Sequence, residues 1–205
     1  MTKKRKVMQV YRLVLVLVGI FGVTLGSWGD PRNFLYYTTL SNVLCILYFI
    51  YALTKKGEPL NENIKGAVTL AITVTMLIFW LILAPHSFNA HTLKQWSSTL
   101  SVHLIVPLMV NFDWLLFDPK GRISKRAPLT WLFIPWTYFV FAQLVATTGV
   151  IYPDTKRHFP YFFIDHSLIG WPKVGMYVVL LSLFFMAFGY GYYALDKMLA
   201  KKAVR

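Results

Sequence analysis

The residues of this 205-residue chain best suited to chemistry are a threonine near the start of one apolar stretch and a histidine inside another, Thr38 and His103. A hydroxyl becomes a nucleophile when a base within hydrogen-bond reach removes its proton, and a third group usually orients that base. Asn42 lies one helical turn beyond Thr38 on the same face. Its amide can donate to an oxyanion or bond across helices. The carboxylate nearest to His103 in depth is Asp165, with Asp30 a second candidate, and a hydroxyl or backbone carbonyl would orient the ring equally well. A lone histidine in an apolar helix also serves as a bridge to a neighbouring helix, so His103 alone leaves both roles open. The other ionisable group in this stretch is Asp113, beside Trp114 and just before the turn Asp118-Pro119-Lys120-Gly121. That setting reads as an interfacial anchor.

The elements that hold these residues follow from composition. Hydrophobic residues make up 57% of the chain and charged residues 14%, whereas soluble domains carry about 25% charged residues. So apolar a chain is neither a water-soluble globule nor disordered. The single cysteine, Cys45, excludes a disulfide framework and a multi-cysteine metal site. Six stretches approach the ~20 apolar residues that cross a bilayer: 7–27, 34–54, 64–84, 95–117, 128–148 and 172–195. None alternates with period two, as the strands of a membrane barrel would. The expectation is an all-α polytopic membrane protein, one transmembrane domain of six helices over residues 1–205. The basic TKKRK start imitates a signal peptide, but the length of the first apolar run and the five spans after it favour retention.

Charge orients the bundle. The 21 Lys and Arg outnumber the 8 acids, for a formal charge of +13. Fifteen cations fall on one side: at the N-terminus, at Lys55, Lys56 and Lys65, between Lys120 and Arg126, and at the C-terminus. Five lie on the other side, and Arg12 sits within the first span, where it can snorkel. The positive-inside rule then puts both termini in the cytoplasm, in the cell membrane, and reads the basic patches as topology signals and lipid contacts, not as a nucleic-acid surface. Thr38 falls about 6 Å and His103 about 12 Å below the outer boundary at 1.5 Å per residue. The uncertainty in span ends covers that difference, so the two can share a level in the outer leaflet. Asp113 is ten residues beyond His103, about 15 Å farther down.

The loop from Gly149 to Trp171 carries Tyr152, His158, Tyr161, Phe162, Phe163, Asp165 and His166. It reads as a cap folded over the outer end or as an interfacial aromatic belt. With His86 and His91 it offers a weak outer-face zinc site. A bis-histidine haem would need a second buried histidine. No cofactor is expected. Gly22 and Gly26 have the spacing of a close helix contact.

Three segments together carry a family resemblance: Tyr36-Tyr37-Thr38-Thr39-Leu40-Ser41-Asn42, then His103-Leu104-Ile105-Val106-Pro107 followed by Asp113-Trp114-Leu115-Leu116-Phe117-Asp118, then Tyr161-Phe162-Phe163-Ile164-Asp165. In segment order and helix count the chain resembles the androgen-induced-gene-type integral membrane proteins, including bacterial six-helix members. Phe162 stands where that pattern has proline. The resemblance implies a membrane-embedded hydrolase cleaving fatty-acid esters of hydroxy fatty acids, with Thr38 as nucleophile and His103 as its base. Its partner is a lipid with an ester-linked acyl chain. Thr39 is adjacent, but its side chain is rotated about 100° around a helix. The rival expectations are a non-enzymatic lipid or small-molecule binder or transporter, and a zinc-dependent lipid hydrolase.

Overall fold

The computed structural model describes residues 2–58, 60–87 and 90–203, apart from the side chains of His86, Ser87 and Ala203. Among them the chain is helical and has six helices long and apolar enough to cross a membrane: α1 (Lys3–Ser27), α2 (Tyr37–Thr54), α3 (Glu62–Leu83), α4 (Leu93–Phe117), α5 (Ala127–Thr147) and α6 (Trp171–Lys202). Local chemistry sets several starts. The Thr2 side chain accepts from the Arg5 N–H, Asn61 accepts from those of Asn63 and Ile64, and Thr92 and Gln95 close a reciprocal capping box. The stretch expected to begin at Phe34 starts instead at Tyr37, because Pro31–Leu35 forms a separate 3-10 turn.

α1, α2, α3 and α4 share one core, built around Leu15, Cys45, Phe49, Ile72, Val106 and Val110. α3 is the central helix, with half of its apolar window buried, against 17% for α5 and for α6. Gly22 and Gly26 let α1 close on α4. A Cβ at Gly22 would lie 2.6 Å from Ser101 Cβ, one at Gly26 would lie 2.5 Å from Ser98 Oγ, and the Ser98 hydroxyl donates to the Gly22 carbonyl. α6 packs on residues 127–131 of α5 at the end that carries Lys120–Arg126, the basic end. Beyond Phe133 the two helices diverge.

At the opposite end the 149–171 loop forms a cap. Tyr152, Phe159, Phe163 and Ile164 are buried. Gln143 of α5 donates to the Ile164 carbonyl, and Arg32 donates to that of Ile151.

Two expectations about buried charge are corrected. Asp113 is not an interfacial anchor and Arg12 does not snorkel, because both are buried and paired. Arg12 grips the Asp113 carboxylate with two hydrogen bonds of 2.9 and 3.0 Å and reaches Asp118 at 2.8 Å. Lys65 Nζ lies 2.5 Å from Asp113 and 3.3 Å from Asp118. Two cations and two carboxylates thus neutralise one another where α1, α3 and α4 meet, which is how charge survives in an apolar interior. Burial and the neighbouring Asp113 raise the Asp118 carboxyl above its ordinary range, against the pull of Lys65 and Arg12.

Candidate active site

Thr38 and His103 meet. Thr38 Oγ is 3.2 Å from His103 Nε2, and both side chains are part-buried. The ring's other nitrogen, Nδ1, lies 3.2 Å from the Thr99 carbonyl oxygen. A carbonyl only accepts, so Nδ1 carries the proton and Nε2 presents its lone pair. The Thr38 hydroxyl therefore donates to Nε2, the direction that general-base activation requires. The orienting group is a backbone carbonyl. Phe79 stacks on the imidazole at 3.6 Å and 19°, a contact of about 0.5–1.5 kcal/mol beyond its buried area.

Local helix chemistry explains why these groups are available. Pro107 has no N–H to give the His103 carbonyl. The Trp80 indole N–H takes that place at 3.0 Å. The N–H of Val106 passes over Val102 and bonds the Ser101 carbonyl five residues back, so Ser101–Ile105 is a π turn. The Val102 carbonyl is thereby released, and Asn42 Nδ2 donates to it at 3.1 Å and to the Thr38 carbonyl at 2.9 Å. Asn42 thus fixes the register of α2 against α4. It bridges helices and does not point at the Thr38 hydroxyl. A second π turn, Phe79–Leu83, lies opposite in α3 and carries the stacking ring. Widened turns of this kind recur at functional sites.

Thr38 occupies the first turn of α2, where backbone N–H groups have no intrahelical acceptor. The N-cap residue Tyr36 supplies no side-chain cap. Instead the buried Tyr161 phenol from the cap comes against this turn. Burial pushes it up to about 12, opposed by hydrogen-bonding contact with the Thr38 hydroxyl and with the N–H groups of Thr38 and Tyr37. The Tyr161 phenol thus sits beside Thr38 at the positive N-terminal end of α2.

Asp165 is elsewhere. Its carboxylate accepts from Arg157 Nε at 2.5 Å, from the Ser167 hydroxyl and from the Leu168 N–H, capping the short helix His166–Ile169. Burial raises its pKa, but these partners outweigh it and hold the carboxyl below its ordinary 3.8. It does not orient His103. Asp30 is likewise engaged with Arg32 at 2.6 Å.

Among the described residues no three His, Cys, Asp or Glu side chains come together in a way that could hold a metal ion. His158 lies 2.9 Å from the Val150 carbonyl, and His166 contacts Gln143 and stacks on Trp171. His86, one of the residues offered as a ligand, has its side chain outside the described residues.

Sequence reasoning gave Tyr161, Phe79 and Trp80 no part in the site. Tyr161 was visible as one aromatic of the cap and as the first residue of a resemblance segment, and Phe79 and Trp80 as ordinary apolar positions of α3. A pocket of about 90 Å³ extends from Thr38 between α3, α5 and α6 under the cap. Protein-family models, curated proteins and solved structures offer no match to the chain.

Proposed function

We propose that the protein is a membrane-embedded lipid ester hydrolase with Thr38 as nucleophile and His103 as general base, as the resemblance to androgen-induced-gene-type proteins implies. The observation that carries this reading is the hydroxyl-to-Nε2 contact of 3.2 Å with Nδ1 tied to a backbone carbonyl. The active tautomer is thus already set before substrate arrives. The 15-to-5 division of cations supports cytoplasmic termini in the cell membrane and an active site toward the outer leaflet.

His103 Nε2 takes the Thr38 proton as Oγ bonds to the ester carbonyl carbon. The carbonyl electron pair moves onto oxygen, which faces the positive N-terminal end of α2 and the Tyr161 phenol. Collapse breaks the carbon–oxygen ester bond. The departing alkoxide receives the proton from Nε2, leaving acyl-Thr38. Water then gives a proton to Nε2 and adds to the same carbon; collapse breaks the acyl–Oγ bond, and Nε2 returns the proton to Thr38 Oγ as the fatty acid leaves. The branched Cβ of threonine limits its χ1 rotamers and keeps Oγ aimed at the ring.

The test is hydrolysis of fatty-acid esters of hydroxy fatty acids by the purified protein in liposomes. Thr38→Ala and His103→Ala should each abolish it, while a covalent serine/threonine-hydrolase probe labels Thr38 in the wild type alone. Full activity in either variant would sink the assignment. The apolar pocket also suits a second reading, a non-enzymatic lipid or small-molecule binder or transporter, which predicts lipid uptake without labelling at Thr38.

A further inference from the structure

The geometry points to a lateral acyl port between α5 and α6, through which one acyl chain of an ester lies with its carbonyl at Thr38. This rests on the hydrolase reading of the Thr38–His103 pair. The pocket that begins at Thr38 reaches Trp136 and Phe139 on α5 and Val178, Leu181 and Ser182 on α6. These are the facing walls of the gap left where the two helices diverge above their contact at 127–131. Trp136 is 50% exposed, so the far end of the pocket is the protein's own lipid-facing surface. Its indole N–H donates across the gap to Ser182 Oγ at 2.9 Å.

Direct contacts set the direction. Phe79 stacks on His103 and lines the same pocket as Thr38, Trp136 and Ser182. The port thus runs sideways from the Thr38–His103 pair, with Tyr161, Phe163 and Ile164 as its roof and Phe185 and Val74 on the side away from the cap.

Chemistry identifies the occupant. Among the described residues no Lys, Arg, His, Asp or Glu lines the pocket, so a charged headgroup has no partner among them and an acyl chain has none to lose. The pocket ends at the Trp136–Ser182 hydrogen bond on the lipid-facing side, so a chain longer than the span from Thr38 to that bond must part the two side chains and continue into the bilayer. That hydrogen bond is a latch: strong enough to close the empty slot, and replaced by apolar contact when a chain passes.

The experiment uses full-length protein in phosphatidylcholine liposomes with two readouts. A photoactivatable fatty acid bearing a diazirine in mid-chain should mark peptides containing Trp136 and 178–185, and Ser182→Trp should abolish that labelling. The palmitoyl-to-butyryl ester rate ratio should fall at least about tenfold in Ser182→Trp and rise in Ser182→Ala, because acyl methylenes contribute only if they reach their pocket. Labelling on another face of the bundle, or an unchanged ratio in both variants, overturns the port while leaving the catalytic pair intact. Labelling in the gap by a wild type that hydrolyses no ester upholds the port as a binding site and overturns the hydrolase reading instead.

Discussion

Replacing Asp113 by leucine should unfold the protein several degrees early, and also replacing Arg12 by methionine should restore most of the loss. The side chains of Arg12, Lys65 and Asp113 are 2%, 1% and 0% exposed. With Asp118 the cluster is balanced, two cations against two carboxylates. Asp113→Leu leaves two buried cations facing one carboxylate. Breaking a buried pair by removing one partner costs about 3–5 kcal/mol, because the survivor stays desolvated and uncompensated. That is a large share of the about 5–15 kcal/mol that holds a domain folded. At roughly 2–4 °C per kcal/mol for a chain of this size, the midpoint should fall by about 6–20 °C. Arg12→Met in the same chain leaves Lys65 opposite Asp118 at 3.3 Å, a one-to-one pair, and replacing a buried ion pair by apolar residues is often neutral. The assay is the temperature at which detergent-solubilised protein ceases to elute as a monodisperse species. An unchanged midpoint in Asp113→Leu would return Asp113 to an interfacial role. A double variant as unstable as the single one would show that the loss is one of packing and not of charge balance.

Three further outcomes follow from the same contacts. Gly22→Val should cost about 1–3 kcal/mol by overpacking, since its Cβ would meet Ser101 Cβ at 2.6 Å. Ester hydrolysis should drop with it because His103 lies in the displaced Ser101–Ile105 turn. Asn42→Leu removes the donor from the Thr38 and Val102 carbonyls, which should cost about 1–3 kcal/mol for the stranded acceptors. It should also lower kcat more than it raises KM, and an unchanged kcat would show that α2 holds its register without the amide. The cap should loosen in acid. The Asp165 pKa lies below 3.8 when folded, so the unfolded carboxyl takes up a proton first. The contribution is complete above 3.8 and is lost as pH falls through the lower folded value. Hydrogen exchange of residues 150–171 should accelerate over that window, and the acceleration should be absent in Asp165→Asn.

The chain's one-dimensional pattern was enough to read six helices, their limits to within a few residues for most, and the common depth of Thr38 and His103. Hydropathy and axial rise are properties of a single segment, and neither depends on what the segment packs against. The asymmetry of Lys and Arg is equally local. Facing direction is different. Asp113 is a polar residue near a helix end in either reading. Only the arrival of Arg12 from α1 and Lys65 from α3 makes it a buried clamp. Asp165 has a suitable type and depth, yet Arg157, eight residues away in the same loop, holds its carboxylate instead. The π turns in α3 and α4 alter helix phase by amounts that no 3.6-residue periodicity predicts. They decide that Phe79 stacks on His103, that Trp80 satisfies the carbonyl Pro107 leaves open, and that Asn42 bonds Val102. Tyr161 reaches Thr38 only because the cap folds back more than 120 residues later in the chain. The sequence by itself determined which residues can react and at what level in the helices they lie. The tertiary structure decided which side chains surround them, because azimuth and long-range closure are set by packing between helices.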